Sequence, residues 1–386
     1  MKKIKLYNKI AKVGLEILKK RGCEASEEMQ EPDGILVRSA KLLDEEFPAS
    51  VKAIARSGAG VNNIPVERCT KEGIVVFNTP GANANGVKEL AICALILAAR
   101  DVIGGVNWAN TLGGEADAAK AVEAGKSAFV GGELAGKTLG VIGLGAIGGS
   151  VANAATALGM TVIGYDPYIT PKAAWSLAPS VKQASGYDEI FALSDYITLH
   201  VPATEQTKHM INAKTIAQMK DGVKILNLAR ADLVNAEDIK AALKSKKVGK
   251  YVTDFPTNDT VGVEGIVAIP HLGASTVESE DHCAVMAAKQ LDDYLTCGNI
   301  VNSVNFPCVS LPHTSLARAC VLHKNIPNML AQITSAFSLS GVNIDNLANA
   351  SRGEVAYTIV EISQKPSDEI IQTLSKIDGV IRVTTY

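Results

Sequence analysis

The stretch GKTLGVIGLGAIGGSVANAATALGMTVIGYDPY, residues 136–168, leaves a chain few ways to fold. Its apolar run at 138–142 reads as a buried strand. Gly143, Gly145 and Gly148 follow as a GxGxxG array, an alanine-rich helical stretch covers 147–158, and a second strand at 161–165 runs into Asp166. Glycine-rich turns are common. One that follows a strand, opens a helix and is trailed by an acid after a second strand is the dinucleotide-binding arrangement. The glycines allow a tight turn and bring a pyrophosphate close to backbone N–H groups at a helix N-terminus. Asp166 would accept hydrogen bonds from the adenosine ribose diol and repel a 2′-phosphate, which selects NAD over NADP.

Further strand-like runs at 195–202, 223–230, 250–255 and 266–273 are mostly separated by helical stretches. Upstream, 33–40, 51–60 and 73–81 each read as an apolar strand ending in a polar turn. Strands alternating with helices imply parallel sheets, and ligands sit outside the carboxyl ends of such strands. Arg38, Arg56 and Asn78 fall there. Residues 88–126 are alanine-rich and helical in period, broken at Gly104–Gly105 and Gly113–Gly114, and a long helix covers roughly 275–296. The segment 301–315, with two prolines and several small polar residues, reads as a linker. Beyond it the order is strand 316–323, helix 328–340, strands 343–350 and 355–363, helix 367–377 and strand 380–385. That βαββαβ order is the ferredoxin-like pattern.

A chain of 386 residues suits two or three domains. A formal net charge of −2 offers no polyanion-binding surface, so nucleic acid is not an expected partner. Seven cysteines without a CxxC pair read as reduced thiols of a cytoplasmic protein, with no metal expected. No continuous apolar region follows MKKIKLYNKI, so no signal peptide is expected. The run LAICALILAA, 90–99, is too short for a bilayer and reads as a buried helix; no membrane partner is expected.

Two residues suggest chemistry. Arg230 ends the strand VKILNLAR and His271 ends IVAIPH, both after the nucleotide motif, so both strand ends should face the cofactor crevice. A lone arginine at a strand end is usually a surface ion-pair partner, and a lone histidine is usually a satisfied polar residue. The motifs around them decide otherwise. GKTLGVIGLGAIG, NLAR followed by LVN, DFP and IPHLGAST, in this order, resemble the D-isomer-specific 2-hydroxyacid dehydrogenases. RSGAGVNNI, FNTPGAN and VKELA resemble that family's substrate-domain motifs. HKNIPNML, GVNI and the final IRVTTY resemble the amino-acid-binding ACT domain appended to many D-3-phosphoglycerate dehydrogenases.

The resemblance implies two Rossmann-like, doubly wound parallel-sheet domains and a C-terminal ferredoxin-like ACT domain. Residues 1–88 and 275–304 would bind substrate, 89–274 NAD, and 315–386 an effector. The implied reaction is NAD-dependent oxidation of D-3-phosphoglycerate to 3-phosphohydroxypyruvate, which opens L-serine biosynthesis. The alternatives are a reductase for another 2-oxo acid, such as 2-oxoglutarate or hydroxypyruvate, and a non-catalytic sensor of NAD and an amino acid. Arg230 would hold the substrate carboxylate and His271 would take the hydroxyl proton. Ile147, His200, Pro202, Thr207, Ala229 and Asp254 would join Gly143, Gly145, Gly148 and Asp166 around NAD. Arg38, Ser39, Arg56, Ser57, Gly58 and Asn78 would bind the rest of the substrate, its phosphate above all. His323, Asn325 and Asn343 match serine-binding positions, with Asn343 drawn from the opposite subunit of a homodimer or homotetramer.

The chain departs from the family pattern at three places. Ala231 and Asp232 stand where two glycines are usual, and Asn328 where one is usual. The acid expected to pair with His271 is also displaced. An alignment on FPT puts Asn258 there, distance from Asp254 puts Asp259, and Glu264 is a third candidate. Asp259 is the expected partner, because raising the pKa of the imidazole through charge needs a carboxylate within reach.

Overall fold

The computed structural model describes residues 1–386 and divides them into two compact units, 1–83 with 280–386, and 84–279. The first unit opens with strands β1 (Lys2–Tyr7), β2 (Cys23–Ser26), β3 (Gly34–Val37), β4 (Ala53–Arg56) and β5 (Val75–Phe77). They pair in parallel in the order β2-β1-β3-β4-β5. β3 and β4 are buried on both faces from Ile35 to Val37 and from Ala53 to Ala55, which is why they read as unbroken apolar runs. The edge strand β2, with the sequence CEAS, has no such run and leaves no sequence signal. The helix Val277–Cys297 sets Ala284, Ala287, Ala288, Leu291 and Leu295 against Ile4, Leu36, Ala55 and Phe77, at helical spacing. Its buried Asp292 is matched by Lys2 Nζ and Arg21 Nη1, each at 2.7 Å.

The second unit contains β6 (Thr138–Ile142), β7 (Thr161–Tyr165), β8 (Lys182–Gln183), β9 (Tyr196–Leu199), β10 (Val223–Asn227), β11 (Val248–Thr253) and β12 (Ile266–Ala268). All pairs are parallel, in the order β12-β11-β10-β9-β6-β7-β8. The order reverses at β6, so β6 and β9 flank the switch point where doubly wound sheets bind ligands. The helix Ala84–Ala99 carries the LAICALILAA run and buries Val87, Ala91, Ala94, Leu95 and Ala98 beside Val151, Ala152 and Ala155 of the helix Ala146–Ala157. Its other face is open, with Ile96 and Cys93 exposed, so the run is buried on one side only. The helical stretch breaks at Asp101 rather than at Gly104–Gly105. Asp101 caps the helix Val102–Asn110 by accepting the Gly104 N–H, and both glycines lie inside that helix.

The first unit also holds β13 (Ala317–Lys324), β14 (Ile344–Arg352), β15 (Val355–Ile362) and β16 (Val380–Thr385). They form an antiparallel sheet in the order β14-β15-β13-β16, with helices Met329–Leu339 and Asp368–Lys376 completing βαββαβ. Alternation along β13 separates two cores. Ala317, Ala319 and Val321 meet Ile333 and Phe337 of the first helix. Cys320 and Leu322 face the other way and join the core of Ile4, Phe77 and Tyr294.

The segment read as a linker is packed. Ser303 bridges to Phe77, and Ile300 pairs with Val309. Buried Asn305 accepts from the Val76 N–H and donates to the Ile74 carbonyl, both at 2.9 Å, so it satisfies the open edge of β5. Polar residues that suggested a free tether serve as substitutes for a sixth strand.

Candidate active site

The glycine turn has the shape a pyrophosphate requires. Gly143 has φ of +90°, and a Cβ there would lie 2.6 Å from the His200 carbonyl oxygen. A Cβ on Gly148 would lie 1.9 Å from the Gly143 oxygen. At Gly145, by contrast, nothing lies within 4 Å, and no side chain caps the helix it opens. The first N–H groups of that helix have no side-chain acceptor. Asp166 stands beside them, its Oδ2 accepting from the Leu144 N–H and its Oδ1 from the Tyr168 N–H, both at 2.9 Å. The carboxylate is fixed and keeps lone pairs for a diol.

His200, just beyond β9, lies 2.9 Å from Thr198 Oγ1, and burial pushes its pKa down to about 4. It is neutral near pH 7, as suits a cofactor-loop residue. Thr207 Oγ1 donates to the Pro202 carbonyl at 2.7 Å and closes the turn after that strand. Ile147 is half-buried in the first turn of the glycine-loop helix. These residues fit NAD.

Arg230 is shaped by a residue the sequence reading missed. Buried Asn227, at the end of β10, accepts from the N–H groups of Ala229 at 3.2 Å and Arg230 at 3.3 Å, and donates to the Arg230 carbonyl at 2.7 Å. The guanidinium is exposed and donates to the Ala229 carbonyl. Ala231 and Asp232 form a 3-10 turn, and neither has positive φ, so the missing glycines leave no strain. At Asn328 the backbone is left-handed, φ +69°, the conformation a glycine would favour and an asparagine tolerates.

His271 follows β12 with φ of +54°, and its backbone N–H donates to the Ile269 carbonyl at 2.9 Å. The pairing with Asp259 expected from sequence is not formed. The His271 imidazole makes no hydrogen bond or ion pair; its ring lies 4.6 Å from that of Phe255. Asp259 lines a cavity of about 180 Å³ with Ala231, Asp232 and His209, and its charge acts on Lys240. Asn258 is exposed. Glu264 lies along a lysine-lined groove at the amino ends of β10 and β11, and that groove, about 1300 Å³ in volume, is remote from the glycine turn. No three His, Cys, Asp or Glu side chains are arranged to hold a metal.

In the first unit, the ends of β3, β4 and β5 bring their candidates together. Arg56 Nε donates to the Arg38 carbonyl at 3.1 Å, and Asn78 Nδ2 to the Ala59 carbonyl at 2.6 Å. The Ser57 N–H donates to the Val37 carbonyl and that of Ser39 to Asn8 Oδ1. The Gly58 carbonyl accepts from the Thr79 N–H. Arg38 forms an ion pair with Glu280, a partner that sequence order, 242 residues apart, did not disclose.

The effector candidates do not converge within one chain. Asn325 lies at the end of β13 and donates to the Gly353 carbonyl, whereas Asn343 precedes β14 at the other end of the sheet. The eight residues of β13 put roughly 25 Å between those ends. His323 is buried, with Nδ1 at 2.8 Å from the Lys324 carbonyl and Nε2 at 2.9 Å from Thr358 Oγ1.

Comparison with known proteins gives this geometry its context. A family model described as D-isomer specific 2-hydroxyacid dehydrogenase, NAD binding domain, matches residues 108–273, and one described as an AHAS small subunit-like ACT domain matches 320–382. The chain is 31% identical over 382 residues to D-3-phosphoglycerate dehydrogenase 2 of Saccharomyces cerevisiae, spanning 92% of this chain and 78% of that protein. It is 32% identical to the D-3-phosphoglycerate dehydrogenase of Synechocystis sp., spanning 92% of this chain and 64% of that one. It spans only 56% of the Bacillus subtilis relative of the same name. The crystal structure of NAD⁺-bound 3-phosphoglycerate dehydrogenase from Entamoeba histolytica matches with a TM-score of 0.60 at 29% identity, covering 79% of this chain and 98% of that one. With a glycine turn and acid that fit NAD and relatives along nearly its whole length, this chain belongs to the D-isomer-specific 2-hydroxyacid dehydrogenase family and carries that family's NAD-binding domain.

Proposed function

We propose that the chain oxidises D-3-phosphoglycerate to 3-phosphohydroxypyruvate, the opening step of L-serine biosynthesis. The observation that carries this reading is the contact of both Arg230 and His271 with Phe255, after strands of the NAD-binding sheet. Arg230 offers a planar fork of donors to the substrate carboxylate. His271 accepts the C2 hydroxyl proton as the C2–H bond breaks, and returns it in the reverse direction. NAD supplies the hydride acceptor. Within the first unit, Arg38, Arg56, Ser39, Ser57, Gly58 and Asn78 gather guanidinium, hydroxyl, amide and backbone donors of the kind a phosphate takes. Glu280 holds Arg38 in place until an anion competes for it.

NADH formation from 3-phosphoglycerate, by wild type and by His271→Ala, tests the reading. Wild-type turnover should fall by about 10²–10⁴-fold in the variant. Turnover of an unphosphorylated 2-hydroxy acid with none of 3-phosphoglycerate would reject the substrate assignment.

Regulation follows from the ACT domain. L-serine would bind between two copies of the domain, with Asn325 from one and Asn343 from the other, because one chain holds them at opposite ends of its sheet. A homo-oligomer is supported by the exposed apolar residues Ile96, Val102, Ile103 and Val106. Calorimetry with L-serine is the check; neither binding nor inhibition at millimolar serine would remove this part of the reading.

A further inference from the structure

We propose that Phe255 is a positioning residue for the dehydrogenase reaction, the common wall against which Arg230 and His271 are both set. The inference rests on the dehydrogenase reading above, but not on which 2-hydroxy acid is oxidised.

The sheet order creates the arrangement. β11 runs between β10 and β12, so the residues that follow β11 emerge between those that follow its two neighbours. Arg230 comes after β10, His271 after β12 and Phe255 after β11. The Phe255 ring centroid lies 5.4 Å from Arg230 Cζ and 4.6 Å from the His271 ring, tilted by 48° from the latter. The electron-rich face of the ring attracts a guanidinium, and a tilted contact with an imidazole is favourable for the same quadrupolar reason.

The backbone that carries the ring is held by hydrogen bonds. The Phe255 N–H donates to Thr253 Oγ1 at 3.1 Å, and the Ile269 N–H donates to the Thr253 carbonyl at 2.8 Å. Asp254, the neighbour of Phe255, accepts from the N–H groups of Leu272 and Gly273, so the segments carrying Phe255 and His271 are tied together. Neither candidate catalytic group has a competing tether. The His271 imidazole has no hydrogen-bond or ion-pair partner, and the guanidinium of Arg230 bonds only the adjacent Ala229 carbonyl. With no carboxylate bonded to the imidazole, its orientation falls to an aromatic ring.

The test compares Phe255→Ala, Phe255→Leu and Phe255→Tyr in the full-length protein, using whichever 2-hydroxy acid wild type turns over. Phe255→Ala should lower kcat by about 10–100-fold, because a small displacement of reacting groups costs that much. It should also raise KM for the acid through Arg230 and leave NAD affinity unchanged. Phe255→Tyr should recover most of the loss, and Phe255→Leu, which keeps bulk without the quadrupole, should fall between. In the substrate-free protein, the His271 ring-proton NMR signals should show a ring-current shift that Phe255→Ala abolishes. Wild-type kcat in folded Phe255→Ala, a Phe255→Tyr as impaired as Phe255→Ala, or unmoved His271 signals would each overturn the proposal. The NMR result needs no substrate, so it stands apart from any failure of the substrate assignment.

Discussion

Asp254 Oδ2 accepts the Gly273 N–H at 2.8 Å, while its Oδ1 accepts that of Leu272 at 2.7 Å, on a side chain that is 1% exposed. The sequence placed Asp254 among the cofactor contacts. Its carboxylate spans the start of the loop after His271 and holds that residue in its left-handed backbone conformation.

Asp254→Asn should therefore disturb more than cofactor binding. An amide offers one acceptor oxygen, so one of the two N–H groups would face an NH₂. We expect a loss of about 1–3 kcal/mol in stability by denaturant melts, and a kcat at least about tenfold lower. Full kcat in the folded variant would show that the loop holds without the carboxylate.

Asp259→Asn should leave the acidic limb of the pH–rate profile where wild type has it. The Lys240 pKa is raised mainly by its hydrogen bond to Glu237, and the Asp259 charge adds to that effect. A displaced limb in Asp259→Asn would show that this carboxylate reaches His271 during turnover.

The ACT sheet is anchored by a buried ion pair, Arg318 Nη2 to Glu361 Oε1 at 2.6 Å, both side chains fully buried. Arg318 also donates to the carbonyls of Cys297 at 2.6 Å and Leu311 at 2.8 Å, tying β13 to the segment before it. Burial pushes the Glu361 carboxyl up, but hydrogen bonds from Arg318 and Thr314 outweigh it and hold the pKa below the usual value. The contribution of such a group is complete above the unfolded carboxylate pKa of roughly 4.3 and is lost as pH falls through the folded value. Glu361→Gln should cost about 3–5 kcal/mol at pH 7 and flatten the acid side of the stability curve, as followed by thermal melts across pH.

Burial lowers the pKa of two histidines, His200 to about 4, and His323, where hydrogen bonds to Lys324 and Asn349 oppose it. The unfolded chain takes up these protons near pH 6.5, whereas the folded protein does not until the pH is lower. Stability should thus decline as pH falls from about 6.5 towards about 4. His200→Gln should remove part of that slope; an unchanged slope would place the titration elsewhere.

Local pattern carried much of this protein. The glycine turn, the strand before Arg230, the βαββαβ order and the long helix at 277–297 were all legible, because apolar period and turn chemistry are properties of neighbouring residues. Strand β2 was not legible, since CEAS has neither length nor alternation. The linker reading failed because Asn305 looks like a solvated loop residue until β5 presents an open edge to it.

By itself, the sequence determined the fold class and the cofactor, and it nominated Arg230 and His271 as candidates. Each depends on residue types at short, fixed spacings. The tertiary structure alone decided which groups stand beside them. Asn227 under Arg230, Phe255 against both Arg230 and His271, Glu280 on Arg38 and Glu361 on Arg318 are all consequences of strand order and packing. The same cause withheld an acid from His271, because the loop after Phe255 places Asp259 in a cavity with Ala231, Asp232 and His209.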